Sequence, residues 1–207
     1  MDKGILLVIS GFSGAGKGTV VKRLLEKDSN LWLSVSMTTR SPREGEKEGE
    51  SYYFVSKEKF EDTIANDGLL EHASYADNYY GTPRKYVEDH MNSGKDVLLE
   101  IETKGALQVK KKFPDAVLVF ITPPSAEELK RRLTGRGTET PEVINKRMGI
   151  AASEADLINE YDYLIVNDTV EQCCDDILEL IKVSHNMPSA RTDFIEKISK
   201  ELKAICN

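Results

Sequence analysis

The sequence predicts an α/β protein, a parallel sheet whose strands alternate with helices that cover both faces. Three observations predict it. Short apolar runs recur at 5–10 (ILLVIS), 32–36 (WLSVS), 96–101 (DVLLEI), 116–121 (AVLVFI) and 163–167 (YLIVN), as in strands buried on both sides. Stretches with helical apolar spacing separate most of them, at 104–113, 125–134, 141–158 and 170–184. The first run ends in a glycine-rich stretch, GFSGAGKGT (11–19), after which Val20, Val21, Leu24 and Leu25 recur at helical spacing. That is a strand, a loop and a helix in succession.

The remaining segments follow in chain order. Residues 1–36, 96–133 and 149–184 make the alternating core. Residues 37–95 interrupt it with a long, charged, tyrosine-bearing stretch carrying glycines at 45, 49, 68, 81 and 94, read as an inserted lobe. Residues 134–148 begin with the basic, glycine-bearing TGRGTET and then start a helix, with Thr140 as its cap and Pro141 in its first turn; this is read as a short lid. The tail, 185–207, opens with the breaker NMPSA. Phe194, Ile198, Leu202 and Ile205 then form one stripe, and Asp193 with Glu196 resembles a capping box, so a terminal helix docked on the core is expected, with a subunit contact as the alternative.

Composition bounds the function. At 207 residues and 40% hydrophobic content the chain suits one domain with insertions. Its charge, 28 − 35 = −7, argues against a nucleic-acid or anionic-membrane binder, whose footprint is a basic face. A small anionic substrate stays open, because a few placed arginines outweigh the mean charge locally. Cys173, Cys174 and Cys206 make neither a disulfide framework nor a zinc spacing. The apolar run near the N-terminus is too short for a signal peptide or a membrane span, and a cytoplasmic protein is expected.

The chemistry concentrates in the loop. Gly11, Gly14 and Gly16 let consecutive N–H groups of Gly11, Phe12, Ser13, Gly14, Ala15 and Gly16 converge on one anion, and the following helix adds its positive end. Lys17 supplies a point charge for β- and γ-phosphates, so the fold class sharpens to a P-loop NTPase type. The position after Lys17 ordinarily carries a hydroxyl that holds Mg²⁺, but here it is Gly18, with Thr19 one residue late. Arg40, Arg43, Arg136 and Arg147 lie in the two irregular regions, where planar guanidinium groups suit the equatorial oxygens of a transferring phosphoryl group. None of the three histidines (His72, His90 and His185) has a catalytic setting, which fits an acceptor that is already an anion.

Several motifs resemble those of guanylate kinases: SVSMTTRSPREGEKEGESYYFVS (34–56), LLEHASYADNYYGTP (69–83), DVLLEIETKGA (96–106), FITPPSAEELKRRL (120–133), GRGTET (135–140) and IVND (165–168). The resemblance runs in order over residues 5–184. It implies transfer of the γ-phosphate of ATP to GMP, and to dGMP, with 37–95 as a GMP-binding lobe. By position, it implies that Arg40, Arg43, Tyr52 and Tyr80 grip the GMP phosphate. Ser36 and Thr82 bond the guanine O6, and Glu71 takes the N1–H and N2 amine with Glu102 nearby. Arg136 and Arg147 match the lid arginines, Asn167 and Asp168 the adenine-side loop, and Arg132 a stacking partner. Lys17, Arg43, Arg136 and Arg147 are then the catalytic set.

Two positions depart from the pattern. Glu102 stands where the family usually has Asp, and Gly18 makes the loop look like that of adenylate kinases. Mg²⁺ is therefore expected to arrive on ATP with no direct protein ligand, its waters oriented by Glu100 at the end of a buried strand. An adenylate kinase-like enzyme and a non-catalytic guanylate-kinase-like binding module remain as alternatives.

Overall fold

A computed structural model describes residues 3–135 and 140–206. Five strands form a wholly parallel sheet: β1 (Leu6–Gly11), β2 (Leu31–Leu33), β7 (Asp96–Glu100), β8 (Val117–Thr122) and β9 (Tyr163–Val166), in the order β2-β7-β1-β8-β9. β1 is central and buried along its whole length. Its alternating side chains therefore serve two cores. Leu7 and Ile9 pack with Val20, Val21 and Leu24 of α1 (Lys17–Lys27) and with Cys173, Cys174 and Ile177 of α7 (Val170–Ser184). Leu6 and Val8 face Val87 and Met91 of α3 (Arg84–Asn92) and Ala106 and Val109 of α4 (Thr103–Lys112).

A second sheet, in the order β4-β3-β6-β5, is built from β3 (Met37–Thr38), β4 (Tyr53–Phe54), β5 (Leu69–Tyr75) and β6 (Asn78–Pro83). It carries its own small core of Met37, Phe60 and Leu69, with Phe60 supplied by α2 (Lys57–Ala65). α3, in the second half of the 37–95 stretch, packs on the large sheet instead. The expected strand at 32–36 is shorter than predicted. Ser34 N–H makes the last bond to Leu98 of β7 (2.9 Å), and the chain then leaves for the small sheet.

α5 (Ala126–Thr134) and α6 (Pro141–Ala155) pack through Leu129, Leu133, Ile144 and Ala151, with Phe12 and Met148 against them. Thr140 and Pro141 stand at the N-cap and first position of α6, as expected. The helix is shorter than the 141–158 reading, because a 3-10 turn at Ile158–Glu160 carries the chain into β9.

The tail corrects an expectation. α8 (Thr192–Ile205) buries no residue, and Phe194, Ile195, Ile198, Leu202 and Ile205 are all exposed, so the stripe does not dock on the core. Its N-cap is Arg191, with no side-chain cap bond, so Asp193 lies inside the helix and does not cap it. Among the described residues, no helix is long and apolar enough to cross a membrane.

Candidate active site

The phosphate loop joins β1 to α1 along one wall of a cavity of about 240 Å³. Ser13, Gly14, Gly16, Lys17, Gly18, Thr19 and Glu100 line it. Gly16 is the N-cap of α1 with φ 92°, and a Cβ there would lie 2.6 Å from Asn167 Nδ2. Only glycine meets both demands. The loop is held from behind. The buried Asn167 amide donates to Ala15 O (2.8 Å), and the Arg132 guanidinium donates to Asn167 O (2.9 Å) and to Glu128 Oε1 (2.6 Å). Arg131 and Arg132 hold the Glu128 carboxyl well down, to about 2. Asn167 and Arg132, expected on the adenine side, are thus both tied to the loop backbone in this structure, while Asp168 is exposed beside them.

Lys17 Nζ donates to Gly11 O (2.7 Å) and Phe12 O (3.2 Å), folded over the loop that it serves. Arg147 reaches in from α6, and its Nη1 donates to Ser13 Oγ at 3.0 Å. Arg136 lies outside the described residues. Glu100 ends β7 beside Lys17. Its surroundings withdraw water and push the carboxyl up, against the pull of the Lys17 charge. A Cβ added to Gly18 would sit 3.8 and 3.9 Å from the two Glu100 oxygens, in ordinary contact. Position 18 and Glu100 therefore face the same space. Among the described residues, no group of three or more His, Cys, Asp or Glu side chains could hold a metal ion.

The second part of the site lies between the two sheets. Glu71 is 6% exposed on β5 and accepts the Thr82 hydroxyl of β6 at 2.7 Å. Neighbouring strands bring these two together because β5 and β6 pair antiparallel, with a register shift between Leu69 and His72. Helix α4 closes the other side. Gln108 exchanges two bonds with the His72 backbone, and a Cβ on Gly105 would lie 2.9 Å from Glu71 Oε2, so a side chain there would push on the Glu71 carboxylate. Burial pushes the Glu71 carboxyl up, Thr82 opposes the shift, and the Glu102 charge adds to it. Glu102 is the exposed N-cap of α4. Ser36 sits at the edge of the small sheet, its carbonyl accepting Tyr53 N–H (2.8 Å).

Arg40, Tyr52 and Tyr80 converge as expected from the motifs. The Arg40 guanidinium lies 5.4 Å from the Tyr52 ring centre, Tyr80 lies close enough to help Glu46 hold its pKa up, and the two tyrosine rings are 6.1 Å apart. A fourth partner, Glu46, went unrecognised in the sequence. It takes a two-pronged ion pair from Arg40 (2.8 and 2.9 Å) and the Arg43 backbone N–H (2.8 Å), which raises the Arg40 pKa and lowers its own. The only sequence signal was a carboxylate six residues after Arg40 in a turn-rich stretch. Arg43 itself is exposed.

A parallel sheet with this loop at the end of its central strand defines a phosphate-binding α/β protein, and the Glu71–Thr82 pair adds a buried carboxylate with acceptor capacity. The sequence profile of the family described as guanylate kinase matches residues 3–184, and the chain belongs to that family. A guanylate kinase of Latilactobacillus sakei is 52% identical over 185 residues, covering 89% of this chain and 91% of its own. One from Oceanobacillus iheyensis is 47% identical over 204 residues, covering 99% and 96%, tail included. The crystal structure of a guanylate kinase from Anaplasma phagocytophilum superposes with a TM-score of 0.70 at 37% identity, covering 91% of this chain and 90% of that one.

Proposed function

We propose that the protein is an ATP:GMP phosphotransferase giving ADP and GDP, with residues 37–83 as the GMP lobe and the start of α6 as part of a lid. The buried Glu71–Thr82 pair carries the reading. A carboxylate accepts from both the N1–H and the N2 amine of guanine, whereas adenine presents an acceptor at N1 and would leave the buried charge unpaired. Family membership supports the same substrates.

The acceptor is the GMP phosphate, already an anion, so the reaction needs no general base. One of its oxygens bonds to the γ-phosphorus, and the bond from that phosphorus to the bridging oxygen breaks, leaving ADP with the electron pair. Positioning and charge stabilisation carry the step. Arg40, Tyr52 and Tyr80 are the groups that hold the acceptor, once phosphate replaces Glu46 as the partner of Arg40. The loop amides and Lys17 hold the donor, and Arg147 crosses from α6 to the loop where charge develops. A divalent cation, Mg²⁺, fits the site as an ion carried on ATP. One carboxylate, Glu100, faces the open space at Gly18, and Mg²⁺ readily keeps its waters. When bound it would supply positive charge against the phosphates of ATP, with Glu100 the carboxylate placed to orient its waters. The cytoplasm, where both nucleotides are available, is the proposed site of action.

A coupled assay of ADP release with GMP, dGMP, AMP and CMP tests the proposal. GMP and dGMP are expected to turn over, with AMP and CMP lower in kcat/KM by about 10³-fold or more. Equal use of AMP would favour the adenylate kinase-like alternative, and no turnover of any of the four the binding module.

A further inference from the structure

Helix α6 touches the site at two places. Arg147 bonds Ser13 in the phosphate loop, and Glu154 accepts the Thr103 hydroxyl at 3.1 Å. The two residues are seven apart on one unbroken helix, so they share a face about 10.5 Å apart along its axis. Thr103 is 2% exposed and is the first residue of α4. No side chain caps α4 at its own N-cap, Glu102, so the carboxylate that arrives from α6 lies where the positive end of the α4 dipole favours it. Burial raises the Glu154 carboxyl and Lys17 pulls it back, which places this group within the field of the phosphate-binding lysine. α4 in turn braces Glu71 through Gly105 and Gln108. A continuous chain of contacts thus runs from the phosphate loop through α6 and α4 to the guanine-reading carboxylate.

We propose that Glu154 is a positioning residue for phosphoryl transfer, a latch that fixes α6 to the first turn of α4 and thereby holds Arg147 over the phosphate loop. The latch needs an acceptor oxygen at position 154 and a hydroxyl at position 103, and it acts through Arg147 without touching either nucleotide. The inference rests on the phosphotransferase reading above.

The test compares Glu154→Ala, Glu154→Gln, Thr103→Val and the Ala/Val double variant, each also in an Arg147→Ala background, by steady-state kinetics with ATP and GMP. Misplacing a charge-stabilising arginine by an ångström is worth up to about a hundredfold, so Glu154→Ala is expected to lower kcat roughly tenfold to a hundredfold. KM values are expected to move less than about threefold, because uniform binding is untouched. Thr103→Val is expected to lose as much, the double variant no more than either single, and Glu154→Gln to retain most of kcat because its amide oxygen still accepts. In the Arg147→Ala background the further loss is expected to fall below about twofold. An undiminished kcat in Glu154→Ala, losses that add in the double variant or to that of Arg147→Ala, or a Gln variant as poor as Ala would each overturn the latch. If Glu154→Ala fails to fold, Thr103→Val and Glu154→Gln still decide. Absence of GMP phosphorylation by the unaltered protein would overturn the underlying reading instead.

Discussion

Glu71→Gln probes base recognition most sharply. The substitution preserves shape, removes the charge and turns one acceptor oxygen into a donor amide. In the structure one Glu71 oxygen accepts the Thr82 hydroxyl at 2.7 Å and the other lies against Gly105, which together hold the buried side chain in place. Under the proposed function two guanine donors would meet this carboxylate. Charge-assisted hydrogen bonds are worth about 1.5–3 kcal/mol and neutral ones about 0.5–1.5, so each bond weakens by about 1–1.5 kcal/mol. The sum, about 2–3 kcal/mol, corresponds to roughly 30–160-fold in kcat/KM for GMP. The assay is coupled ADP release with GMP varied at saturating ATP, and KM for ATP is expected to stay within about twofold. GMP kinetics unchanged in the variant would refute the assignment.

Other consequences are testable with the same protein. Burial raises the Glu71 pKa on folding, so the ionised group costs stability above its folded-state pKa, and that cost fades as pH falls through it. Guanine recognition needs the ionised form, so the acid limb of kcat/KM for GMP is expected at a higher pH than an ordinary carboxylate gives. That limb is expected to vanish in Glu71→Gln, and a limb unchanged in the variant would assign it elsewhere. Lys17→Met is expected to lower kcat by about a hundredfold or more, whereas Gly18→Ser, whose Cβ meets only ordinary contacts with Glu100, is expected to change it less than about tenfold. The reverse ranking in rate measurements would contradict the metal arrangement. Lys17, Arg43 and Arg147 come from separate regions, so small-angle scattering is expected to show a smaller radius of gyration with both nucleotides than with none. Identical radii would count against closure.

The core was legible because burial on both faces writes a continuous apolar run, as in residues 6–9, which alternate between two helix-backed cores. Edge position is not written that way. YLIVN reads like the other runs, yet Tyr163, Leu164 and Val166 are 41–54% exposed, because β9 has a neighbour on one side only. The small sheet escaped pattern reading because β3 and β4 are two residues long, too short for any period. The loop residues, Arg40, Tyr52, Tyr80, Glu71 and Thr82 were legible as motifs, and the structure brings each group together. Pairings across sequence distance were not. Glu154 with Thr103 and Arg132 with Asn167 depend on where helices and loops return, which no local spacing encodes. The α8 stripe was read as docked because amphipathicity reports a face that is apolar and not what covers it.

The central claim is that Glu71 reads guanine while the phosphate loop, without a hydroxyl at position 18, holds ATP with a wetted Mg²⁺. A crystal structure with GMP, Mg²⁺ and a non-hydrolysable ATP analogue tests it directly. The account predicts Glu71 oxygens within hydrogen-bond reach of the guanine N1 and N2, and Arg40 released from Glu46 onto the GMP phosphate. It also predicts no protein oxygen at the roughly 2.1 Å of direct Mg²⁺ coordination. A guanine edge facing other residues, or a side-chain oxygen bound to the metal, would contradict it.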